Sequence, residues 1–128
     1  MRAQLFGGGV LATAGLIGLL MAGAAVAGTF QYMKVDGQYV PLTGCNWLQK
    51  DSVVEGEYVP DDPGNSVSFQ WQLNSLGWHS FSASQGLNGV WGFQFTMTED
   101  LDPYADDTLY IEANDDGTTY PWSCTNYS

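Results

Sequence analysis

From Ser66 to Met97 the chain runs thirty-two residues without an Asp, Glu, Lys or Arg, although it carries fourteen acids elsewhere. Apolar and polar side chains alternate along this stretch. Val67, Phe69, Trp71 and Leu73 alternate with Ser66, Ser68, Gln70 and Gln72; later Trp91, Phe93, Phe95 and Met97 alternate with Gly92, Gln94 and Thr96. A period of two is the signature of half-buried β-strands, because successive side chains of an extended chain point to opposite faces. A three-residue loop at Asn74-Ser75-Leu76, followed by Gly77, pairs Trp71 with His79, Phe69 with Phe81 and Val67 with Ala83. A five-residue loop, Gln85 to Gly89, pairs Ala83 with Trp91, Phe81 with Phe93 and His79 with Phe95. Both registers keep the aromatic side chains on one face, and a slip of one residue would scatter them. The expectation is a three-stranded antiparallel meander. Its inner face is aromatic, with His79 among Trp71, Phe81 and Phe95, and its outer face is neutral, built of Ser, Gln and Thr with Trp78.

The flanking segments follow the same pattern. Asp36-Gly37 is a strong type I′ hairpin signal. It pairs Val35 with Gln38, Met33 with Val40 and Gln31 with Leu42. Met33, Val35, Val40 and Leu42 then face inward, and Phe30, Tyr32, Lys34 and Tyr39 face the other way. Val53 to Val59 forms a strand with Val54 and Tyr58 on one face and Glu55 and Glu57 on the other. A four-residue turn, Asn114 to Gly117, joins Leu109–Ala113 to Thr118–Cys124 and pairs Ile111 with Tyr120 and Leu109 with Trp122. No helical periodicity interrupts this. The predicted fold is all-β, a small antiparallel β-sandwich or flattened barrel of about six to eight strands.

The N-terminus has the features of an export signal. Met1-Arg2 precedes an uncharged Gly/Ala/Leu run from Gly7 to Gly28, which closes on Ala25-Val26-Ala27, a small-x-small cleavage pattern. Residues 1–27 are predicted to be a signal peptide and residues 28–128 one domain; the alternative is a run retained as a membrane anchor. Export to an oxidising compartment, whether periplasm, cell surface or medium, makes a disulfide of the only two cysteines, Cys45 and Cys124. After cleavage, two lysines face fourteen acids, a net charge of −12. Such a chain repels nucleic acid and anionic membranes and attracts cations and basic partners.

Catalytic signals are thin. His79 is the sole histidine, and no G-x-S-x-G elbow accompanies it. Glu55 and Glu57 stand about 7 Å apart along a strand, a distance compatible with glycoside hydrolysis but equally with a solvated acidic face. The expectation is therefore a protein that is not an enzyme. Asp100, Asp102, Asp106 and Asp107 form an acidic loop whose carboxylates suit calcium, although Tyr104 and Ala105 depart from the EF-hand template at its fifth and sixth positions. The neutral outer face suits a neutral carbohydrate. Gln70, Gln72 and Gln94 donate and accept hydrogen bonds, Trp78 offers a ring for stacking, and Tyr32 and Tyr39 could assist. The predicted function is a secreted, non-catalytic binding module for neutral glycan. The alternatives are a self-associating structural subunit of the cell envelope or an extracellular filament, because uncharged sheet surfaces also pair with each other, and an acidic inhibitor of a basic partner.

Overall fold

The computed structural model describes residues 26–128. The leader predicted over residues 1–27 lies outside them, apart from Val26 and Ala27. Alternation and turn chemistry yield strands β1 (Thr29–Val35), β2 (Gln38–Tyr39), β3 (Ser52–Val59), β4 (Val67–Leu73), β5 (His79–Phe81), β6 (Ala83–Gln85), β7 (Trp91–Met97), β8 (Asp107–Asp115) and β9 (Thr118–Asn126). They form two antiparallel sheets, ordered β2-β1-β3-β7-β6 and β5-β4-β8-β9, so the fold is a sandwich and not a closed barrel. No helix among the described residues is long and apolar enough to cross a membrane.

The charge-free stretch is not one sheet. β5 pairs with β4, with Trp71 opposite His79 and Phe69 opposite Phe81 as the first loop predicts. The chain then changes sheets at Ser82, and β6 pairs with β7 in the other layer. A strand that bends from one sheet to the next closes the side of a sandwich. Val67 therefore pairs with Asp115 instead of Ala83. Ala83 pairs with Phe93 instead of Trp91, because the turn spans Gly86 to Val90 and is closed by Gly86 N donating to Val90 O at 2.8 Å. This shift is by two residues, so each side chain keeps its face while its partner changes. Phe81 still meets Phe93 and Phe95, with centroids 5.2 and 4.6 Å apart, but across the interior between sheets. Trp71 stacks on Phe95 at 5.5 Å in the same way.

The first hairpin forms on Asp36-Gly37, at φ 49° and 80°, with Val35 opposite Gln38 and Val40 N donating to Met33 O. Its extension fails. Tyr32 adopts φ 54°, and the β1–β3 register shifts by one residue between Gln31 and Lys34, the mark of a β-bulge. Residues before the bulge change face. Phe30, expected outside, packs inward against Tyr58, Phe93 and Phe69. Leu42, expected inside, is fully exposed, because β2 stops at Tyr39 and no Gln31–Leu42 pair forms. In the last hairpin Asp116-Gly117 makes a two-residue turn at φ 50° and 92°. Ile111 thus pairs with Trp122, Leu109 with Cys124 and Ala113 with Tyr120. Cys124 still faces inward and is bonded to Cys45, with Cα atoms 5.8 Å apart. The bridge ties the segment after the first hairpin to β9, where Cys45 N also donates to Thr125 O.

Candidate functional site

Splitting the meander between layers puts the candidate ligand residues on opposite sides of the molecule. Gln70 and Gln72 point outward from the four-stranded sheet. Gln70 lies between Ser80 on β5 and Glu112 on β8, and Gln72 lies beside Tyr110 on β8, which in turn neighbours Ser123 on β9. Continuing the Trp71–His79 register by one residue sets Trp78 on the other flank of Gln72. The paired row across the sheet is Gln72, Tyr110, Ser123, and Trp78, the residue just before β5, stands at its end. Trp78 and Tyr110 are each 40% exposed, and with Gln72 between them their strands lie two spacings, about 10 Å, apart. Beside this row Ser68, Gln70, Ser80, Glu112 and Asn114 line a depression of about 150 Å³. Glu112 is the one charged side chain among the outward strand positions of this face, and its Oε1 accepts from Gln70 Nε2 at 2.9 Å. Tyr110 was not singled out from sequence. Its place between inward Leu109 and Ile111 marks it as outward, but nothing local says that β8 lies beside β4.

Gln94, Tyr32 and Tyr39 belong to the five-stranded sheet. There the cross-strand row is Tyr39, Lys34, Glu55, Gln94, and in the next row Glu57 faces Gly92. Tyr32 is 61% exposed, thrown outward by the bulge, and Tyr39 is 63% exposed. These residues surround a shallow groove of about 300 Å³ lined by Tyr32, Lys34, Tyr39, Glu55, Glu57 and Gly92. The Lys34 ammonium sits 4.6 Å from the centre of the Tyr39 ring.

The four aspartates of the acidic loop each have a partner within the protein. Asp107 is buried, and its Oδ1 accepts from Asn74 Nδ2 at 2.9 Å and from Asp102 N at 3.1 Å. Asp102 Oδ1 accepts from Tyr104 N, and Asp106 Oδ1 from Ser128 N. Asp100 lies 3.6 Å from Lys50 Nζ. Among the described residues no three His, Cys, Asp or Glu side chains converge as a metal cage. His79 stacks on Trp71 as expected, with centroids 4.4 Å apart, but it is exposed and its Nε2 lies 3.0 Å from Glu99 Oε2. The predicted pairing with Phe95 does not form, because His79 is on edge strand β5 and Phe95 belongs to the other sheet.

Sequence reasoning also missed a buried carboxylate. Asp115, expected in a turn, is the last residue of β8 and is 1% exposed. It accepts from Tyr58 Oη at 2.7 Å, Asp61 N at 2.8 Å and Asn65 Nδ2 at 2.7 Å. Burial pulls its pKa up, but these three donors together outweigh burial and hold it below the ordinary value. Tyr58 is pushed far above its ordinary value by burial, by donating to Asp115 and by the nearby negative charge. Tyr120, donating to Asp61, is raised as well. This network anchors the turn between β3 and β4; it is structural.

Comparison with protein-family models, with curated proteins and with solved structures finds no match to this chain.

Proposed function

We propose that the protein is an exported, non-catalytic binding module whose four-stranded sheet takes a neutral carbohydrate on its outer face. The observation that carries this reading is the row Trp78–Gln72–Tyr110, two exposed rings flanking an amide on a surface with a single carboxylate. A saccharide presents C–H faces that stack on aromatic rings, and hydroxyls that exchange hydrogen bonds with amides and hydroxyls. Trp78 and Tyr110 would supply the stacking surfaces, and Gln72, Gln70 and Ser80 the directional contacts. Glu112 is the one carboxylate of this face and is held by the Gln70 amide, so the surface offers a cation a single charge and no paired acidic site. The disulfide supports an oxidising, exported location.

The test is retention on a panel of neutral polysaccharides by affinity electrophoresis. Trp78→Ala and Tyr110→Ala should each weaken binding by about three- to tenfold, the scale of one aromatic contact. If no neutral glycan retards the protein, or if the double variant binds undiminished, the reading fails. Oligomers that dissociate in the same variants would assign this face to self-association instead.

A further inference from the structure

The geometry points to a second recognition site on the opposite face, the groove of the five-stranded sheet, for an extended protein segment carrying arginines at alternate positions. The argument begins with the strand. Glu55 and Glu57 occupy positions i and i+2 of β3 and share its outer face, so their carboxylates repeat at about 7 Å. An extended peptide has the same period, and an Arg-x-Arg segment presents two guanidinium groups at that spacing on one side. Among the described residues neither glutamate is in an ion pair; those present join Lys50 to Asp100 and His79 to Glu99. Glu57 accepts only an amide hydrogen bond from Gln31, at 3.0 Å.

The walls and floor suit the same occupant. Tyr32 and Tyr39 leave ring faces exposed at the rim, and a planar guanidinium stacks on such faces while its fork engages a carboxylate. The Tyr39 ring already takes a cation, since Lys34 Nζ sits 4.6 Å from its centre. The floor is open because Gly92, cross-strand from Glu57, has no side chain, and a Cβ placed there meets nothing within 4 Å. Two carboxylates against one ammonium leave the groove negative, on a domain whose acids outnumber its lysines fourteen to two. That long-range field draws a basic partner in, and the groove supplies its register. This site lies on the other sheet from Trp78 and Tyr110 and does not depend on the glycan reading.

The experiment uses the disulfide-bonded protein and three capped peptides, Gly-Arg-Gly-Arg-Gly, its lysine counterpart and its citrulline counterpart. Binding is followed by titration calorimetry and by amide chemical-shift mapping. The arginine peptide should bind most tightly, weaken with added salt, and shift amides of β1, β3 and β7. Glu55→Gln and Glu57→Gln should each weaken it about three- to fivefold, as for a partly exposed ion pair. Gly92→Trp sets a ring into the groove from a position where an added Cβ meets nothing within 4 Å; it should abolish peptide binding while any glycan retention stays unchanged. Tyr39→Ala is the second variant, should Gly92→Trp not fold. Equal binding of the citrulline peptide, shifts confined to residues 99–107, or full binding by Gly92→Trp would each overturn the proposal. So would retention of an amine-bearing polysaccharide with no peptide binding.

Discussion

Asp115 is the residue on which local electrostatics bear most directly. A carboxylate 1% exposed is stable in its charged form only because Tyr58, the Asp61 amide and Asn65 all donate to it. Asp115→Asn replaces one acceptor oxygen with a donor that faces other donors, so it should lower the unfolding free energy by about 2–4 kcal/mol. The pH dependence has a definite sign. Because the folded pKa lies below the ordinary 3.8, the stabilisation is present above about pH 4 and is lost as pH falls through the folded value. Tyr58 is raised from 10.0, so its contribution is complete below about pH 10 and is lost as pH rises beyond it. Urea midpoints should therefore form a plateau between these limits, and Asp115→Asn should flatten the acid limb. An acid limb equally steep in the variant would assign it to other carboxylates.

At the scale of the element, two hairpins share one device. Asp36-Gly37 and Asp116-Gly117 both place an aspartate and then a glycine at positive φ. A Cβ on Gly37 or Gly117 would meet nothing within 4 Å, so the requirement for glycine is conformational and not steric. Gly117→Ala should cost about 1 kcal/mol, and Gly117→Asn less, because asparagine tolerates the left-handed region. Denaturant titration checks this, and equal losses for the two substitutions would refute the conformational account. The first of these turns was legible because Asp-Gly stood between clear alternating runs. The second was hidden by Asn114 and Asp115, which have turn-like chemistry but belong to β8, where Asp115 is buried by partners more than fifty positions away. Alternation revealed which face most strand residues take, and it held even where a register was wrong by two. It could not reveal the bulge at Tyr32, which uses no glycine, nor the change of sheet at Ser82. For the same reason the site was only half legible. Trp78 and Gln72 are near neighbours in sequence, whereas Tyr110 joins them through the β4–β8 pairing, a long-range contact without local periodicity.

At the scale of the molecule, the two outer faces keep their shape only while the sheets remain packed, and the disulfide ties the segment between β2 and β3 covalently to β9. Cys45 and Cys124 are 79 positions apart. Closing so long a loop removes entropy from the unfolded chain worth about 4–5 kcal/mol, a large part of the roughly 5–15 kcal/mol available to a domain of this size. Working against the fold are fourteen acids and few basic side chains, whose mutual repulsion favours expansion and is screened by salt. The two effects meet in one measurement. A Cys45→Ser/Cys124→Ser variant should lose about 4 kcal/mol in denaturant titration and be partly unfolded at low ionic strength. Added salt should then recover part of its melting temperature, since screening relieves the repulsion that the bridge otherwise withstands. A variant as stable as the bridged protein at low salt would show that the aromatic interior, with Phe81, Phe93, Phe95 and Trp71 meeting across the layers, is sufficient to hold both faces in place.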